Sequence, residues 1–157
     1  MAISDATLFR RGLIAIAALT VVGTGVELSL ERHWKSLEQG LAWLVLGVAV
    51  TAVVLVARRV SRRRVIVARL LALAVLALSA LGVLQHVEAN YEAGELDAAY
   101  GARWPAMSEV QRWRAALLKD VGPAPILAAG ALAQAGLLVL LSTLRHPALV
   151  RMEGDGP

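Results

Sequence analysis

The chain has 157 residues, of which 58% are hydrophobic and 18% charged, with a formal net charge of +4 and no cysteine. A mean hydropathy of +0.64 is more apolar than one soluble core of this size can hide, and the missing cysteine excludes disulfides, thiolate metal sites and thiol nucleophiles. A pI near 10.3 could point to nucleic acid, but the basic residues sit beside apolar runs where membrane topology already accounts for them, and no aromatic-rich basic groove is present, so no nucleic-acid partner is expected.

Crossing the roughly 30 Å hydrocarbon layer takes about 20 mostly apolar residues. Four stretches meet this, at about 12–30, 40–57, 70–86 and 125–144. Leu and Ala dominate them and no period-2 alternation runs through them, so helices are expected and not barrel strands. The first run is too long for a signal h-region and has no small-residue cleavage pattern after it, which makes it a retained span. The fold expected is an all-α membrane protein of one domain, a four-transmembrane-helix antiparallel bundle.

Orientation follows from the flanking charges. One side carries Arg10, Arg11, Arg58, Arg59, Arg62, Arg63, Arg64, Arg69, Arg145 and Arg151 against Asp5, Glu153 and Asp155, ten bases to three acids. The other carries six bases against nine acids, namely Glu27, Glu31, Glu38, Glu88, Glu92, Glu95, Asp97, Glu109 and Asp120. The positive-inside rule places the first side, with both termini, in the cytoplasm of a bacterial inner membrane. The run 58–69 reads first as a topology anchor and second as a lipid-headgroup or partner site.

The connection 87–122 is the only long one. Ser108 and Gln111 have the spacing of a capping box that starts a helix. Val110, Trp113 and Leu117 then share a face, which predicts a short interfacial helix in this outer loop. Trp34, Trp104 and Trp113 are expected as anchors at headgroup depth. Gly122, Pro123 and Pro125 break the chain before the last span, where a proline costs little because its N–H would have had no helical partner.

Polar residues gather near the outer ends of the first and third spans. Glu27 is an ionisable group about 22 Å into its span, nearer the outer surface than the midplane, and such groups inside a span are expensive and usually face protein or a cavity. Ser79, Gly82, His86 and Asn90 recur at three- and four-residue spacing. Were the two spans neighbours, Glu27, Glu31, His86 and Asn90 would form one polar cluster. The leading expectation is an interhelical hydrogen-bond network; the alternative is a divalent metal or redox cofactor on Glu27, His33, His86 and Glu92, since imidazole and carboxylate suit zinc, iron or manganese. A proton or substrate path comes third. In the last span Ala129, Gly130, Ala133 and Gly136 make a small-residue surface for close helix packing.

His86-x-x-x-Asn90 with Glu92 beyond it, Gly122-Pro123-Ala124-Pro125, Gly136-Leu137 and Arg145-His146-Pro147-Ala148-Leu149 resemble an uncharacterised family of small four-span bacterial membrane proteins, over about the second half of the chain. The family generally has a Glu late in its first span, as Glu27 is here. The resemblance implies the four-helix layout and links His86 with Asn90; it implies no activity, cofactor or partner.

No P-loop, Rossmann fingerprint, HExxH or nucleophile elbow occurs. The expected function is a non-catalytic accessory or structural subunit of a larger membrane complex, with lipid and other subunits or a second copy as partners. A metal or cofactor protein, and a small oligomeric transporter or channel, are the alternatives.

Overall fold

The computed structural model describes residues 4–58 and 61–150; Arg59, Arg151, Glu153 and Asp155 of the charge count lie outside them. The described chain is helical: α1 (Asp5–Leu30), α2 (Leu37–Ala57), α3 (Arg62–Ala93), α4 (Glu109–Leu117), α5 (Ile126–Ser142) and the short α6 (Pro147–Val150), with 3-10 turns at Gly94–Leu96 and Trp104–Ala106.

α1, α2 and α3 are long and apolar enough to cross a membrane, whereas α5, at 17 residues, is a shorter apolar helix. Only 22%, 33% and 28% of their most apolar windows are buried, and what they expose is itself apolar, including Leu19, Val22, Leu41, Leu44, Leu70 and Leu73. Such surface suits a hydrocarbon solvent, in which a helix satisfies its own backbone. α1, α2 and α3 begin before their expected spans and α3 also runs past its far end, because Arg62–Arg64 and Ala89–Ala93 contain no breaker, whereas α5 falls inside the expected 125–144.

Helix ends follow local chemistry. α1 stops at a Schellman motif in which Arg32, at φ 50°, donates its N–H to Ser29 O and His33 donates to Leu28 O. Ser36 Oγ then caps α2 by accepting from Gln39 N. The expected capping box is present at α4, with Ser108 Oγ accepting from Gln111 N and Gln111 Oε1 accepting from Ser108 N.

The chain divides into two compact units, residues 1–79 with 131–157, and residues 80–130. In the first unit a single core runs through Ala17, Val21, Leu28, Ala49, Ala52, Val53, Ala68, Ala72, Leu132, Ala135 and Val139. Alanines bring the backbones close: a Cβ on Gly136 would stand 2.9 Å from Ala72 O. In the second unit Gly82 faces Ala129 Cβ, while open space surrounds Gly130. A separate core forms there from Val87, Trp104, Ala115, Ala116 and Val121.

Candidate functional site

In the second unit the chain must turn through Gly122-Pro123-Ala124-Pro125 to begin α5. Two prolines leave Ala124 as the only N–H donor among residues 123–125, and Asn90 of α3 takes it. Asn90 is fully buried; its Oδ1 accepts from Ala124 N at 2.8 Å and its Nδ2 donates to Ala124 O at 3.1 Å, with a longer bond to Ala116 O at 3.5 Å. One side-chain amide thus satisfies both backbone groups of Ala124 and reaches the end of α4. Gly122, at φ +76°, lies so near that a Cβ there would sit 2.6 Å from Asn90 Cα.

Next to Asn90, Tyr91 stacks on Trp113 at 4.5 Å and meets Trp104 edge-on at 5.5 Å, and its hydroxyl donates to Glu109 Oε2 at 2.9 Å. Trp104 is only 2% exposed, its ring lying over Gly94. Its carbonyl and that of Pro105 accept from Arg112 Nε and Nη2, both at 3.0 Å. α4 packs through Ala115 and Ala116, which let it approach closely, and leaves Val110, Trp113 and Leu117 exposed. The apolar face read from the sequence is therefore the outward one.

Trp34 is exposed in the first unit and lies 6.3 Å from Trp43, whose Nε1 donates to His33 O at 2.7 Å. Glu27 and Glu31 are exposed on α1, and the Glu27 carboxylate forms no hydrogen bond or ion pair with a described residue. Ile16, Gly23 and Leu30, at helical spacing from it, are exposed too, and a Cβ on Gly23 would meet nothing within 4 Å. His86 is half-buried and Glu92 exposed in the second unit. Among the described residues no three His, Asp or Glu side chains are grouped to hold a metal ion. Ser79, the first residue of the stripe that runs to Asn90, buries its Oγ with no partner among the described residues.

The chain matches no family model, no curated protein and no solved structure.

At the basic end of the first unit, Arg69 donates through Nε to Thr143 Oγ1 at 3.0 Å and through Nη2 to Thr143 O at 2.6 Å. Arg10 Nη2 donates to Arg145 O at 3.0 Å. Guanidiniums from α1 and α3 thus cover the C-terminal end of α5, where carbonyls lack helical partners and the dipole is negative. His146 Nδ1 accepts from Ala148 N at 3.1 Å. Burial first, then Arg10 and Arg69, hold the His146 pKa below its ordinary 6.5. As pH falls through about 6.5 the unfolded chain takes the proton before the native one does, so native stability declines in that window. Thermal unfolding in detergent, stepped from about pH 7.5 to 5, is expected to give a flatter profile for His146→Gln than for the native chain; equal slopes would show that His146 does not govern the acid response.

Proposed function

We propose that the chain is a four-span antiparallel helical bundle, with α5 and its flanks as the fourth crossing and both termini cytoplasmic, serving as a non-catalytic accessory subunit of a larger inner-membrane complex. One observation carries this reading. The Glu27 side chain lies in the last turn of an apolar helix, toward the outer end of the span, exposed and with no partner among the described residues, and Gly23 and Leu30 on the same face are exposed too. An ionisable group within a span is costly in lipid and is normally covered by protein, and the gap at Gly23 lets another helix come near. A second membrane helix, from another subunit or another copy, is the cover. The second unit supports the same role, because Asn90, Arg112, Asp97, Ser108 and Gln111 all use their polar atoms to hold backbone in place.

Mild extraction of a tagged chain is expected to recover a companion, a different subunit or a second copy, in fixed stoichiometry. Glu27→Leu is expected to lower that recovery about tenfold while leaving the thermal stability of the isolated chain unchanged. A monomer in several mild detergents, with Glu27→Leu indistinguishable from native, would refute the subunit role.

A further inference from the structure

The charges at the C-terminal end of α5 do not balance. A helix terminus presents roughly half a negative charge. Against it stand Arg10 from α1, Arg69 from α3 and Arg145, which is exposed at φ 45°. None of the three forms an ion pair with a described acid. Capping the helix therefore explains less than one of about three full charges.

Donor capacity is also left over. Each guanidinium offers five N–H donors; the bonds above engage Nε and Nη2 of Arg69 and Nη2 of Arg10. Both side chains are only half-buried, so the remaining donors are within reach of a ligand. With Nδ1 of His146 accepting from Ala148, the neutral ring carries its proton on Nε2 as one more donor. A tetrahedral oxyanion with several lone pairs suits paired guanidiniums best.

We propose that this end of the first unit binds a phosphate group, that of an anionic membrane lipid, between Arg10, Arg69 and His146. The inference rests on α1, α3 and α5 crossing the bilayer, which brings their basic ends to the headgroup layer where anionic lipid is concentrated; it does not depend on the partner at Glu27. A soluble phosphate offers the same chemistry from another source.

The test uses the isolated full chain, labelled with ¹⁵N-histidine, in nanodiscs of phosphatidylcholine with or without phosphatidylglycerol. The His146 resonance is assigned with His146→Gln. Phosphatidylglycerol is expected to raise the His146 titration midpoint by about one pH unit, because an anion beside the ring favours its charged form. In Arg10→Gln/Arg69→Gln that rise is expected to vanish, while Arg69→Lys, which keeps the charge, retains part of it and serves with circular dichroism as the control for folding. Surface potential alone would move native and double variant equally, and that result, or no rise in either, overturns the proposal. Inorganic phosphate added to phosphatidylcholine nanodiscs separates the sources: no response assigns the site to lipid, and a full response at millimolar phosphate assigns the same phosphate site to a soluble ligand.

Discussion

Trp104→Ala is expected to destabilise the second unit by about 3–5 kcal/mol, the range for deleting a buried large aromatic side chain. The ring is 2% exposed and its surroundings cannot collapse easily onto the gap. On one side is Gly94, so close that a Cβ there would overlap the indole; on another is the edge of Tyr91. Arg112 lies over the ring at 5.9 Å and also grips the Trp104 carbonyl. Gly94→Ala tests the same packing from the other side and is expected to cost about 1–3 kcal/mol by overpacking. The two losses should not add, since the alanine would occupy space the indole vacates. Pulse proteolysis in detergent, scoring cleavage between residues 94 and 122, reads both. Native protease resistance in Gly94→Ala would mean that the indole does not sit where it is described.

The second large effect is expected at Asn90. Asn90→Ala leaves the N–H and the carbonyl of Ala124 without partners inside the fold, each orphaned group costing about 1–3 kcal/mol, for a total of about 2–6 kcal/mol. Asn90→Asp is the sharper probe. It keeps the shape and an oxygen for Ala124 N, but it replaces the amide donor with an oxygen facing the carbonyls of Ala124 and Ala116 and buries a charge, so it is expected to be at least as damaging as alanine. Chemical denaturation followed by tryptophan fluorescence measures it, and near-native stability in Asn90→Asp would rule out the amide clamp.

How much of this could be read beforehand depends on the range of the interaction. The capping box at Ser108 and Gln111 is local, three residues apart, and the structure has it where the spacing put it. Long apolar helices are as local, because lipid-facing length needs only composition. Spacing puts Asn90 on one helical stripe with His86, and Gly122-Pro123-Ala124-Pro125 marks a break, yet nothing in either segment says that one clamps the other across 34 residues. That pairing depends on the path of the intervening chain. Trp104 illustrates the opposite difficulty: tryptophan is equally at home in a headgroup layer and in a core, and the glycine that admits it, Gly94, carries no pattern that could decide between them. The exposed face of α4 was legible as a face, but not as the outward one, since two alanines gave no hydrophobic signal of their own. Glu27 was conspicuous as a charge in an apolar run; its lack of a partner became visible only in three dimensions.

Arg32, Lys119 and Arg145 adopt φ values of 50°, 58° and 45° just past the ends of α1, α4 and α5, where glycine would avoid a penalty of about 1–2 kcal/mol. A long basic side chain on an ordinary loop sweeps a wide volume, but one rooted in a left-handed joint sets out from a direction dictated by the helix before it. Each of these joints therefore fixes where its own cation leaves the helix end, whatever course the loop beyond it takes.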